Sequence, residues 1–121
     1  MNAAATDLKA LEAQIADVQA LARRYAGEIR EHFGGRLRGI RLYGSAARGD
    51  WTPESDIDVL VLLDHVAGED GDWIVNRAVS LGLLGSGLLL QPLFMPEADF
   101  EHLRRRERRF ALEVEREGLE L

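Results

Sequence analysis

Cysteine is absent from the 121 residues. That excludes a disulfide, a thiolate metal site and a cysteine nucleophile, and it fits a reducing, cytoplasmic setting. No apolar run approaches the length of a membrane span. The first residues lack a basic stretch followed by an apolar core, so no signal peptide is expected. The three histidines, His32, His65 and His102, are scattered without metal-ligand spacing and read as surface or loop residues. Positive charge is in deficit, with 15 basic against 21 acidic residues and a net charge of −6. Phosphate contacts need local positive charge, so a generic nucleic-acid binder is not expected. A phosphate-bearing small molecule held through a metal ion stays open.

What is present is globular in character, 46% hydrophobic and 30% charged, without repeats or low-complexity linkers, and reads as one domain over residues 1–121. Apolar residues from Leu8 to Phe33, at spacings of three and four, predict a helix over 7–33, with Thr6 as its N-cap and Gly34-Gly35 as its stop. Its early part, within residues 1–20, reads either as an arm beyond the core, reaching to a second subunit, or as the start of one amphipathic helix on a sheet. Strands are expected over 37–43, 56–63 and 88–95. The last carries Pro92, which has no amide to donate, so that strand either lies at a sheet edge or is broken there. A helix over 73–84 should turn Trp73, Ile74, Ala78, Leu81 and Leu84 inward. A long helix from Pro96 to about Glu115 should do the same with Phe100, Leu103, Phe110 and Val114. Gly118 stops it before a last extended piece. This order implies an α/β (α+β) fold, a short mixed sheet packed with helices.

The chemistry lies between Leu42 and Leu63. Asp56 and Asp58 stand two apart on a strand, so their carboxylates share one face. Bare, they repel and one tends to stay protonated. Mg²⁺ resolves this, since it commonly takes one or two carboxylates together with substrate phosphates. Upstream, Gly44-Ser45 ends the preceding strand. Glycine permits a tight bend and close approach of a phosphate, Ser45 adds a hydroxyl, and Arg48 suits a phosphate oxygen. Each fragment alone has a plainer reading, a solvated strand end or a turn. Together they place a phosphate cradle and a metal seat at one cleft.

Gly44-Ser45, ten intervening residues and then Asp56-Ile57-Asp58 resemble the signature of the nucleotidyltransferase superfamily. Arg48-Gly49 and Ser55 match its fuller form, and Arg116-Glu117-Gly118 is similar to its usual C-terminal ending. The resemblance is closest to the minimal nucleotidyltransferases, single small domains whose usual partner is an all-helical HEPN protein, many of the pairs being toxin-antitoxin systems. It implies that Asp56 and Asp58 hold Mg²⁺. Ser45 and the Gly44 backbone contact the phosphates of a nucleoside triphosphate, with Arg48 and Ser55 in the same site. It further implies that AMP passes from ATP to a hydroxyl on the HEPN partner, with pyrophosphate leaving.

One position departs from the pattern. Active members carry a third acidic residue on the next core strand, and the alignment puts Gln91 there. A glutamine offers a carbonyl oxygen but neither a negative charge nor a base. This opens a second reading, a nucleotide-binding antitoxin that acts by binding its partner with little turnover. A nucleotidyltransferase acting on a small molecule or nucleic acid is a third, disfavoured because the extra acceptor-holding domains are missing. Homo-oligomerisation stays open. Five arginines at 104, 105, 106, 108 and 109 are either a solvated helix face or a docking surface for an acidic partner or RNA. Trp51 either anchors the motif loop or stacks on a base.

Overall fold

The computed structural model describes residues 3–121, with side chains from residue 8 onward. Helix α1 (Ala3–Phe33) leads through a 3-10 turn (Gly34–Arg36) into β1 (Leu37–Tyr43). A one-turn helix α2 (Ser45–Arg48) and a loop precede β2 (Ile57–Leu63). Then come α3 (Asp70–Ala78), a π-helical segment (Val79–Leu84) and β3 (Leu90–Pro96). The chain closes with α4 (Glu97–Arg106), α5 (Arg108–Glu117) and the short β4 (Leu119–Glu120).

The sheet order is β3-β2-β1-β4. β2 runs antiparallel to β1 and parallel to β3, and β4 is antiparallel to β1, so the expected mixed sheet is present. β3, with Pro92, lies at an edge. β2 is interior and covered on both faces. Ile57, Val59, Val61 and Leu63 pack with α1, α3 and the π segment around Tyr25, Ile29 and Ile74. Leu60 and Leu62 join Phe100, Ala111 and Val114 on the side of α4 and α5. Alternation along the strand therefore sets which helix layer each side chain meets. Asp58 is in phase with Leu60, so it belongs to the α4–α5 layer.

Four expectations are corrected. Helix α1 is already formed at Ala3, so Thr6 lies inside it and is not its cap; the alanines before it are the strongest helix formers and carry the helix past the capping signal. Leu84 is 75% exposed. The chain widens there to a π turn, which slows angular progress and rotates Leu84 outward. The single helix from Pro96 is two, broken at Glu107 with φ −119° and ψ 61°. In an unbroken helix Glu107 would fall between Leu103 and Phe110 on the inner stripe. The break leaves it exposed to solvent. The strand expected over 88–95 starts later, at Leu90. Within α1, Val18 is the first buried residue among those described, and Leu8 is 57% exposed. No described helix is long and apolar enough to cross a membrane.

Arg36 ties the end of α1 to the start of α3. It donates from Nη2 to Asp70 at 2.6 Å and from Nε to Asp64 at 3.3 Å, and Asp70 also accepts from the Ala67 amide at 2.8 Å. The Arg36 guanidinium, then that amide, hold the Asp70 carboxyl below the usual carboxylate range. A depressed folded-state pKa contributes stability above the ordinary carboxylate pKa, and that stability is lost as pH falls through the lowered value. Asp70→Asn should therefore lower the melting temperature near neutrality, and the gap to the wild type should close in acid. Thermal melts across that range check it.

Candidate active site

The register of β1 and β2 brings the two motifs together. Tyr43 is the partner of Asp58, so the bend at Gly44-Ser45 starts beside that carboxylate. Gly44 has φ 74° and ψ −154°, a conformation essentially reserved for glycine. It is also the residue Asp58 leans on, since a Cβ at position 44 would stand 2.6 Å from Asp58 Oδ2. The close approach and the backbone angle both demand glycine.

Beyond the bend, α2 is held at three points. Ala46 is fully buried, and its carbonyl accepts from Gln19 Nε2 at 3.2 Å. The amides of Ala47 and Arg48 both reach the Gly44 carbonyl, leaving those of Ser45 and Ala46 at the helix start without an intrahelical acceptor. Gly49, with φ 86°, closes the turn. Arg48 is the third anchor. Its guanidinium faces α5 and meets Glu113 at 3.0 Å, Glu117 at 3.3 Å and Asp50 at 3.4 Å. The Arg48-Gly49 and Arg116-Glu117-Gly118 motifs, distant in sequence, are thus joined by an ion pair.

Asp58 is half-buried, and Asp56 stands exposed just ahead of β2. Burial, then the charges of Asp56 and Glu113, push the Asp58 carboxyl above its usual range, with Arg48 opposing. The adjacent Tyr43 hydroxyl is pushed up to about 12 by burial, then by the charges of Asp58 and Glu113. Glu113 was not singled out from the sequence. It is 55 positions from Asp58, and only the packing of Phe110 edge-on against Tyr43, with ring centres 5.6 Å apart, brings α5 to the site. Its spacing of three from Phe110 on α5 was the available signal.

Gln91 on β3 is the register partner of Asp58 and shares its face. It is exposed, beside the carboxylate that the strand pairing would set next to a third acid. Ser55 is placed differently. Its hydroxyl meets Thr52 Oγ1 at 3.1 Å, and its carbonyl accepts from Trp51 Nε1 at 3.0 Å. Trp51 is buried and anchors this loop. The strand pairing therefore sets Asp58 beside the Gly44 bend and Gln91, with Asp56 near enough to raise the pKa of Asp58, while Arg48 and Ser55 are turned to α5 and to the loop.

Among the described residues no three histidine, cysteine or acidic side chains are disposed to hold a metal together. None of the ion pairs among them engages Asp56 or Asp58. The donor set is two uncompensated carboxylates beside a glycine bend, which suits a hard divalent cation whose other ligands come from phosphate and water.

The nucleotidyltransferase domain family matches residues 22–117, a span running from inside α1 to the end of α5. The chain belongs to that family. A Methanocaldococcus jannaschii protein named "Putative protein adenylyltransferase MJ0604" is 33% identical over 78 residues, covering 64% of this chain and 73% of its own length. A solved structure described as "Crystal structure of the toxin-antitoxin with AMP-PNP" shares the fold at a TM-score of 0.54 and 20% identity, covering 80% of this nucleotidyltransferase domain and 69% of that chain.

Proposed function

We propose that this domain transfers a nucleoside monophosphate, AMP from ATP, to a hydroxyl on a partner protein, with Mg²⁺ held by Asp56 and Asp58. We further propose that it acts as antitoxin to a HEPN-type toxin, with residues 1–121 as one functional domain. The observation that carries the reading is the close approach of the Gly44 bend to Asp58, one of two carboxylates that no ion pair among the described residues engages. The family supports nucleotidyl transfer, the name of the archaeal relative supports an adenylyl group and a protein acceptor, and the description of the fold relative supports a toxin-antitoxin setting.

When bound, Mg²⁺ would neutralise phosphate charge and polarise the α-phosphoryl group. Ser45 and the free amides at the start of α2 would receive the β- and γ-phosphates. The acceptor oxygen bonds to the α-phosphorus as the bond to the bridging oxygen breaks, pyrophosphate departs with the electron pair, and the hydroxyl proton is released. Positioning and charge stabilisation do most of this work. Gln91 cannot take the proton, which favours the second reading, a nucleotide-binding antitoxin with little turnover.

The test is incubation of the protein with α-labelled ATP, Mg²⁺ and its candidate partner. Label on the partner, lost on chelation, is the expected result; tight partner binding without label would leave only the second reading. Gln91→Asp should raise the transfer rate by about 10²-fold, the usual contribution of a general base. No increase would mean that this position is not what limits the rate.

A further inference from the structure

Two shallow concavities lie side by side along α5, each of about 450 Å³. One is lined by Arg48, Arg109, Glu113, Arg116 and Glu117, the other by Arg104, Arg105, Arg108 and Glu115, and Leu112 is common to both. Leu112 lies on the face of α5 turned away from the buried Ala111 and Val114, so the two concavities flank one exposed stripe of the helix with an apolar residue at its centre. At one end it reaches Arg48, and through Arg48 the Gly44-Ser45 bend. The break at Glu107 fans the arginines of α4 and α5 along its other end.

Its charge is not a balanced surface lattice. Arg104 is paired, with Glu101 and Glu115. Arg105, Arg108, Arg109 and Arg116 have no carboxylate within ion-pair distance among the described residues, and all four are exposed. A chain of net charge −6 thus concentrates free guanidinium groups beside its candidate active site. Unpaired guanidinium forks match carboxylates in bidentate geometry.

We propose that this stripe docks an extended acidic peptide segment of the acceptor protein, with an apolar side chain against Leu112, and leads its hydroxyl toward Asp56 and Asp58. The dimensions agree. The ten residues of α5 span about 15 Å, the length of about five residues of extended chain. Nucleic acid fits less well. Glu107, Glu113 and Glu115 interrupt the arginines, and a continuous phosphate track would meet them, whereas a peptide can place its carboxylates between them.

The proposal rests on the transfer reading only for where the hydroxyl is delivered; docking is measured without turnover. The experiment is fluorescence anisotropy of three labelled peptides with a central serine and a leucine, flanked by acidic, neutral or basic residues, and of a single-stranded RNA of matched charge. The acidic peptide should bind at least about tenfold tighter than the others and weaken as salt rises. Exposed ion pairs change affinity by about 1.5- to 5-fold each, so Arg105→Gln/Arg109→Gln should cost about tenfold, and the charge reversal Arg105→Glu/Arg109→Glu more. Asp58→Asn should bind the acidic peptide like the wild type, which separates failure of docking from failure of the nucleotide site. Equal binding of the three peptides, tighter binding of the RNA, or full binding by the double variants would overturn the proposal.

Discussion

Asp58→Asn is expected to reduce nucleotidyl transfer by about 10²–10³-fold, the usual loss when a preorganised charge at a reacting phosphate is removed. The substitution keeps the shape of the side chain and removes only its charge. That charge is maintained against burial and against Asp56 and Glu113, which together raise the Asp58 pKa. A carboxylate with a raised folded-state pKa favours the folded protein while protonated, and that contribution is lost as pH climbs from the ordinary carboxylate value through the raised one. Without Mg²⁺, the asparagine variant should therefore melt no lower than the wild type near neutrality, and its advantage should vanish in acid. Mg²⁺ with ATP should raise the melting temperature of the wild type and leave the variant nearly unmoved. Thermal shift assays with and without Mg²⁺ and ATP read both effects. A variant that still answered to the nucleotide would remove Asp58 from the site.

Gly44→Ala should be damaging in a different way. Its backbone angles cost any residue with a Cβ about 1–3 kcal/mol, and that Cβ would also press on Asp58 Oδ2. The carboxylate must move or the bend must open. We expect a melting temperature lower by about 5–10 °C and transfer reduced by about 10²-fold. Gly49→Ala is the control. It has a positive φ of 86° but nothing within 4 Å of the new Cβ, so it should lose stability while leaving the carboxylate where it is. Equal loss of transfer in both variants would show that the bend matters only through its flexibility.

The parts of this fold legible in the sequence are those governed by local rules. Strand β1 occupies the span expected of it, because Gly34-Gly35 and Gly44 punctuate it on both sides. β2 follows from its alternation, and of the two readings of Pro92 the edge strand is the one observed. The break at Glu107 was missed because no glycine or proline announces it. It arises from a charge on what would be a buried stripe, a conflict visible only when the helix is packed. Leu84 was misplaced because a π turn changes the angular step that a 3.6-residue period assumes. At the site, the meeting of Gly44 with Asp58 follows from β1 and β2 lying side by side, with Tyr43 paired to Asp58. The position of Glu113 does not, because it depends on how α5 settles against Tyr43. The partners of Arg48 were hidden for the same reason. An arginine after a glycine bend looks available to phosphate until the final helix brings Glu113 and Glu117 against it.

That last contact commits Arg48 to α5. If phosphates draw Arg48 toward them, the arginine has to leave Glu113 and Glu117 behind, and two carboxylates are then uncovered on the outer surface of α5. A full bend and an empty bend would then present different electrostatic faces along that helix.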